Sequence, residues 1–350
     1  QITASNPCGL SNSDVAPIVL SSLPEADIFF NEDTIGCNGQ TLYTFIDSSD
    51  NGYVTSYSGG AYQCDSANAI NWVISPSSGY TLQFGSLGSN PPYYGWPSTY
   101  GTDSISVIFD NPGSYTVSFY NYNQCGGSTT SDSVQQIICI DSAAHSSFNL
   151  DDSVGCSVLS VFATNTSLSL NDCAPKFLWE VQYISSSCNS GNGNWSFANN
   201  YNDTTIDAGF TFIDPGYYVI SLSAINKCDT AIFLDTITVK APPQISINSI
   251  SDFCDSTSII PVANIDSCLS TINSYQWNFS NGNPTSSSSL NPGSINFTQI
   301  GQQTVSLDVT NECATVNATE IFTIFESPEI TMSPDDSICI GNSIVLNPSI

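Results

Sequence analysis

The segment Phe109-Asp-Asn-Pro-Gly113-Ser-Tyr115-Thr-Val-Ser-Phe119-Tyr-Asn-Tyr-Asn123-Gln-Cys125 decides how this chain folds, because it returns twice. It returns as Phe212-Ile-Asp-Pro-Gly216-Tyr-Tyr218-Val-Ile-Ser-Leu222-Ser-Ala-Ile-Asn226-Lys-Cys228, and again between Phe297 and Cys313. In each copy a Phe stands four residues before a Gly, the Gly stands twelve before a Cys, and Asn-x-Cys closes the unit. Asn6-Pro-Cys8 is a fourth, truncated copy. Within the copies Tyr115-Thr-Val-Ser-Phe, Tyr218-Val-Ile-Ser-Leu and Thr304-Val-Ser-Leu-Asp-Val alternate at period two, as half-buried strands do.

Upstream of each full copy a Trp sits in another alternating run: Asn71-Trp72-Val-Ile, Leu178-Trp179-Glu-Val and Gln276-Trp277-Asn-Phe. A further cysteine precedes each Trp, at Cys37, Cys156 and Cys254, and Cys339 opens a last copy. Successive members of the Asn-x-Cys set are 117, 103 and 85 residues apart, and those of the other set 119, 98 and 85. These periods are domain-sized, too long for a solenoid. No run keeps helical periodicity over three turns, so the fold class is all-β, with sandwich domains in tandem.

Charge removes several functions. The 350 residues carry 31 acidic side chains against 3 lysines and no arginine, a formal net charge of −28. Lys176, Lys227 and Lys240 cannot make a basic track along a phosphate backbone, so no nucleic acid is expected as a partner. Anionic membrane surfaces repel such a chain, and no stretch approaches the roughly 20 apolar residues of a membrane span, so no membrane insertion is expected in this segment. With 40% hydrophobic residues the chain can still bury cores. Thirteen cysteines, none in C-x-x-C spacing, point to disulfides and an extracellular, oxidising location.

The Trp strand, the Phe-x-x-x-Gly-x-Tyr-x-Val-x-Leu strand and the Asn-x-Cys turn resemble the PKD domain, an immunoglobulin-like sandwich found in extracellular arrays. The family's Gly-Asp-Gly after the Trp strand survives only as Ser280-Asn-Gly282, and the first two repeats carry long insertions there. The resemblance implies an elongated array of tandem immunoglobulin-like (PKD-like) sandwiches. Residues 1–24 are read as the last strands of a preceding repeat, 25–140, 141–240 and 241–326 as whole repeats, and 327–350 as the first strands of a following one. In that fold the B–C and F–G loops share a pole, which implies the pairs Cys64–Cys125, Cys173–Cys228 and Cys268–Cys313. It further implies Cys37–Cys139 and Cys156–Cys188, and leaves Cys254 without an explanation.

Candidate chemistry is sparse. His145, the only histidine, has no second histidine or arginine to complete an acid–base constellation and reads as a linker residue. Asp151-Asp152 and Asp335-Asp336 are adjacent, so their side chains diverge, and they read as turn residues. The chain is therefore expected to be no enzyme and to require no cofactor. Asp47, Asp50 and Asn51 are the best candidate calcium ligands, set against ordinary solvated turns. Tyr93, Tyr94, Trp96 and Tyr100 in the first insertion, and Trp195 in the second, are candidate sugar-stacking aromatics, or else small local cores beneath long loops.

Asp-Ser/Thr followed by Ala, Ile, Val or Thr occurs eleven times, with its hydroxyl at Thr34, Ser66, Ser104, Ser133, Ser142, Ser153, Thr204, Thr230, Thr236, Ser256 and Ser337. The tripeptide resembles the O-glycosylation signal of Bacteroidota, and it also suits the start of a strand. Together these readings imply an extracellular structural or adhesive segment similar to the large surface adhesins of gliding Bacteroidota that use type IX secretion. Its expected partners are the neighbouring repeats of the same chain, surface polysaccharide and other cell-surface proteins. The alternatives are a spacer or carbohydrate-binding accessory region of a secreted polysaccharide hydrolase or peptidase, and an archaeal surface-layer protein.

Overall fold

The computed structural model describes residues 3–12, 23–30, 32–51, 65–89, 99–125, 128–189, 191–331 and 338–345. Among them there is no α-helix, and a single 3-10 turn spans Leu168–Asn171. The chain opens with an antiparallel hairpin of β1 (Thr3–Asn6) and β2 (Gly9–Asn12).

The first sandwich contains β3 (Ile28–Phe29), β4 (Ile35–Cys37), β5 (Leu42–Asp47), β6 (Asp65–Ser75), β7 (Tyr80–Phe84), β8 (Ser104–Phe109), β9 (Gly113–Cys125) and β10 (Ser128–Asp141). Its sheets run β3-β5-β8-β7 and β4-β10-β9-β6. The second contains β11 (Phe148–Leu150), β12 (Val154–Cys156), β13 (Leu159–Asn165), β14 (Lys176–Ile184), β15 (Trp195–Phe197), β16 (Ala208–Phe212), β17 (Gly216–Ile225) and β18 (Thr230–Lys240). The order repeats as β11-β13-β16-β15 and β12-β18-β17-β14. This is the immunoglobulin arrangement, A-B-E-D facing C-F-G, with a short strand that leaves A to lie parallel on G.

The third sandwich contains β19 (Gln244–Ile247), β20 (Phe253–Cys254), β21 (Thr257–Ile259), β22 (Ala263–Asp266), β23 (Ile272–Phe279), β24 (Gly282–Asn283), β25 (Ser286–Ser287), β26 (Ile295–Phe297), β27 (Gly301–Asn311) and β28 (Thr315–Phe325). Its main sheet is β20-β28-β27-β23-β25, faced by β21-β26-β24 and β19-β22. Pro261, which has no N–H to give a ladder, separates β21 from β22 where the other sandwiches carry one continuous strand.

The repeated strand explains the cores. Counting from its Gly, every second side chain points inward: Tyr115, Val117 and Phe119, then Tyr218, Ile220, Leu222 and Ala224, then Gln303, Val305, Leu307 and Val309, all buried. Trp72, Trp179 and Trp277 are the largest fully buried side chains. Trp72 lies 4.4 Å from Phe119 between ring centres, and Trp179 meets Phe148 and Phe210 edge-on.

The Gly is needed because φ there is +138° at Gly113 and +107° at Gly301, a conformation that side chains resist. Two residues on, Tyr115 Oη donates to the Asn111 carbonyl at 3.1 Å and Tyr218 Oη to the Asp214 carbonyl at 2.8 Å, pinning the corner four residues back. The third repeat lacks the tyrosine, and Gln303 Nε2 reaches the equivalent Gln299 carbonyl at 2.8 Å instead.

Burial, with smaller contributions from Tyr183 and Asp214, pushes the Tyr218 hydroxyl up to about 12. The unfolded chain then loses this proton near pH 10 while the folded chain keeps it, so the stability contributed is intact below 10 and lost as pH rises towards 12. Denaturant midpoints should fall more steeply between pH 10 and 12 for the native chain than for Tyr218→Phe; equal slopes would refute this.

The chain divides into two compact units, Gln1–Ser147 with Thr166–Phe177 and Ser223–Ile232, and Phe148–Asn165 with Leu178–Leu222 and Phe233–Ile350. The division runs through the second sandwich. Its B–C loop and the tip of its β17–β18 hairpin belong with the first sandwich.

Candidate functional site: the stapled junctions

The reason for that division is covalent. Cys37 is bonded to Cys228 and Cys139 to Cys173, with Cα–Cα distances of 5.4 and 5.8 Å, and both bonds join the first sandwich to the second inside the first unit. Cys156 is bonded to Cys313 and Cys188 to Cys268, at 5.5 and 5.4 Å, and both join the second sandwich to the third inside the second unit. Among the described residues each junction is therefore crossed by three covalent links, the chain itself and two disulfides.

The pairs implied by the family fold are corrected accordingly. Cys173–Cys228, Cys268–Cys313, Cys37–Cys139 and Cys156–Cys188 do not form, because each of these cysteines takes a partner in the adjoining sandwich. Register shows one cause: Cys37 lies opposite Asp141 in the β4–β10 ladder, while Cys139 lies opposite Ile35. The Cys64–Cys125 pair lies outside the described residues.

The Asn-x-Cys turn supplies the other cause. Asn226 Oδ1 accepts the Cys228 and Asp229 N–H groups at 2.9 and 3.0 Å, capping the hairpin. Its Nδ2 donates to the Ser142 carbonyl, just past the first sandwich's last strand, and to Asp172 Oδ2, both at 2.8 Å. Asn311 repeats this, with Oδ1 accepting from Cys313 and Ala314 and Nδ2 donating to the Ala241 carbonyl at 2.8 Å. One amide thus shapes the turn and aims it at the preceding sandwich, which brings the hairpin cysteine to the short-strand cysteine there. The neutral hydrogen bonds among these contribute about 1 kcal/mol each, and the one to the Asp172 carboxylate about 1.5–3 kcal/mol.

The chain's few cations gather at the same places. Lys227, the middle residue of Asn-Lys-Cys, pairs with Asp33 of the first sandwich at 2.6 Å. Glu312, the middle residue of Asn-Glu-Cys, pairs with Lys240 of the second. Lys176 lines a cavity of about 290 Å³ at the first junction with Asp33, Asp141 and Lys227. Such solvent-exposed pairs contribute about 1 kcal/mol or less each, so they select partners more than they stabilise.

The remaining candidates fall elsewhere. Asp47 Oδ1 accepts the Ser49 N–H at 2.9 Å, and Asn51 Oδ1 accepts Asn121 Nδ2 at 2.8 Å, so both serve loop structure. Among the described residues the groups of three or more acidic, histidine or cysteine ligands are Cys156–Glu312–Cys313 and Cys188–Asp266–Cys268. In both, the two cysteines are in disulfides, and neither group includes Asp47 or Asp50. Asp151 and Asp152 accept backbone N–H groups of Phe162 and Val154.

Tyr93, Tyr94 and Trp96 lie outside the described residues, and Tyr100 is exposed. Trp195 is half-buried in β15, 5.4 Å from Phe197, and Tyr201 packs edge-on against Phe162, so the second insertion folds its aromatics onto the sheet. Of the Asp-Ser/Thr hydroxyls, Thr34, Ser133, Ser153, Thr204, Thr230, Thr236 and Ser256 are exposed and Ser104 and Ser142 half-buried. Ser337 and the Ser66 side chain lie outside the described residues. Asp229 and Asp235 each accept the N–H of the following Thr at 2.7 Å, the strand-start geometry.

No protein-family profile matches the chain, and no curated protein matches it in sequence. Among solved structures it is similar to the titin I-band fragment I67–I69, at 12% identity and a TM-score of 0.45 over 88% of this chain and 99% of that one. It is also similar to Sidekick-1 immunoglobulin domains 1–5, at 11% identity and a TM-score of 0.35 over 88% and 60% of the two chains. The mouse nectin-like molecule 4 ectodomain is similar at 11% identity and a TM-score of 0.34 over 85% and 98%. All three are tandem immunoglobulin-domain proteins, and at these scores the fold assignment rests on the strand order itself. Among the described residues no helix is long and apolar enough to cross a membrane.

Proposed function

We propose that this chain is a non-catalytic extracellular segment of a large secreted cell-surface protein, an adhesin or surface filament whose sandwiches are bonded to one another to withstand tension and proteolysis. The observation that carries the reading is that all four described disulfides join consecutive sandwiches. A bond within a sandwich protects that sandwich alone, whereas a bond across a junction makes neighbours share a load. Disulfides persist in oxidising surroundings, which supports an extracytoplasmic place. A net charge of −28 would keep such segments from associating laterally.

The PKD-like Trp and Phe-Gly-Tyr strands, with the Asp-Ser/Thr tripeptides, favour a surface protein of gliding Bacteroidota exported by type IX secretion. Seven of those hydroxyls are exposed and accessible to a glycosylating enzyme. The test is peptide mass spectrometry of the natively isolated protein without reduction. Hexose-type mass at Thr34, Ser133, Ser153, Thr204, Thr230, Thr236 or Ser256, with the eight bridged cysteines resistant to alkylation, is the expected result. Alkylatable cysteines would overturn the extracellular reading, and bare hydroxyls at all seven sites the glycosylated one.

A further inference from the structure

Cys254 occupies in the third sandwich the position of Cys37 in the first and Cys156 in the second. Each ends a short strand laid parallel on the last long strand, Cys37 opposite Asp141, Cys156 opposite Lys240 and Cys254 opposite Phe325. In each the next residue's N–H donates to the carbonyl of that ladder partner: Asn38 to Asp141 at 3.0 Å, Ser157 to Lys240 at 2.9 Å and Asp255 to Phe325 at 2.8 Å. The three cysteines thus stand on the same backbone frame.

Two of the three are bonded, and both to the same kind of partner. Cys37 takes the cysteine of the next sandwich's Asn-Lys-Cys hairpin, and Cys156 that of the next Asn-Glu-Cys hairpin. Cys254 is exposed and carries a thiol. The carbonyl that receives the hairpin asparagine lies one residue past the ladder partner, at Ser142 and at Ala241, which places the third one at Glu326. The chain beyond Glu326 is held there, since the Asp255 carboxylate accepts the Ser327 N–H at 2.8 Å and its hydroxyl at 2.6 Å. The third sandwich therefore repeats the short-strand cysteine and the position of the asparagine-receiving carbonyl of the two occupied junctions, without a counterpart of their second cysteine, Cys139 or Cys188.

The sequence names the occupant. Cys339 follows Cys254 by 85 residues and continues the series Cys37, Cys156, Cys254. In the three whole repeats the hairpin cysteine comes 88, 72 and 59 residues after that early cysteine, which puts the corresponding hairpin of the repeat opened by Cys339 beyond residue 350.

We propose that Cys254 is the attachment point of the next sandwich, bonded in the mature protein to the cysteine of that sandwich's Asn-x-Cys hairpin. The inference rests on reading this chain as a segment of a longer array. Formation takes two thiol–disulfide exchanges with a low-molecular-weight disulfide. The Cys254 thiolate attacks one sulfur of that disulfide and expels a thiolate; the hairpin thiolate then attacks Cys254 Sγ and expels the second. The two protein thiols lose two electrons and two protons, and the small disulfide becomes two thiols.

The test is a non-reducing peptide map of the whole protein from its own organism, alkylated on collection and cleaved at low pH to suppress exchange. The expected product is a Cys254 peptide bonded to an Asn-x-Cys peptide from outside residues 1–350. An alkylated Cys254, or a bond from it to Cys8, Cys339 or a peptide without Asn-x-Cys, overturns the inference. In the same protein Cys254→Ser should leave the four junction bonds intact and expose one new alkylatable thiol, on that hairpin; no new thiol also overturns it. Intact junction bonds beside an alkylated Cys254 would sink this inference alone, whereas loss of the junction bonds would sink the proposed function.

Discussion

Pulled from its two ends in a force spectrometer, the unreduced chain should release at least about 600 Å less contour length than the reduced chain. The Cys37–Cys228 bond spans 191 residues, and an extended chain gains at most about 3.3–3.6 Å per residue. With the bond intact, tension passes from Cys37 directly to Cys228, and residues 38–155 stay out of the line of force, whether folded or not. Cys156–Cys313, spanning 157 residues, overlaps that loop and takes up the tension through residues 156–228. Had the cysteines paired within sandwiches, the longest single loop, Cys37–Cys139, would be about half as long, although the implied loops together would withhold a similar total. Equal contour lengths before and after reduction, with the bonds mapped as intact at the start, would remove the mechanical reading.

The same bonds bear on stability. A disulfide contributes about 2–4 kcal/mol, chiefly by restricting the unfolded chain. Because each here links two sandwiches, an unfolded sandwich remains tied by its hairpin tip to a folded neighbour and refolds from a closed loop rather than a free chain. Local opening is thereby confined, which is where resistance to proteolysis would come from.

The strands were legible in the sequence and the bonds were not, for reasons that lie in particular residues. Phe, Gly and Tyr at fixed spacing announce a corner strand because only Gly turns there without strain and only a long polar-tipped side chain reaches back four residues. Gln303 hides the pattern in the third repeat by doing the tyrosine's work with an amide. Pairing stayed obscure because the two cysteine sets share nearly one period, so bonding within a repeat and bonding to the next satisfy the spacing equally. The discriminating signal was Cys254, which pairing within repeats leaves without a partner. Asn-x-Cys was a second signal: a turn that needed only a cap would not have to keep a cysteine beside it. In the second insertion, composition left Trp195 open to a sugar-stacking or a local-core reading, and its contact with Phe197, beside that of Tyr201 with Phe162, is that of a sheet closing over its own edge.

The three core tryptophans should respond unequally to the same substitution. Trp179→Ala should cost about 3–5 kcal/mol, the usual loss for emptying a site of this size, and Trp72→Ala should cost about as much. Replacement by Phe separates packing from hydrogen bonding. Trp72 Nε1 donates to the Thr102 carbonyl and Trp179 Nε1 to the Thr205 carbonyl, both at 2.9 Å, whereas Trp277 Nε1 is buried with no partner. Phe at 72 or 179 loses ring volume and strips a carbonyl of its donor, at about 1–3 kcal/mol for a buried group. Phe at 277 loses the same volume and also removes an unsatisfied donor, so the second contribution reverses sign. Trp277→Phe should therefore destabilise its sandwich by at least about 1 kcal/mol less than Trp179→Phe destabilises its own. Hydrogen exchange of amides in β23 and β14 reads each sandwich separately in the intact chain. If the two Phe variants lose protection equally, the unpaired indole is satisfied in solution and the third core holds a bound water or a shifted loop at that atom.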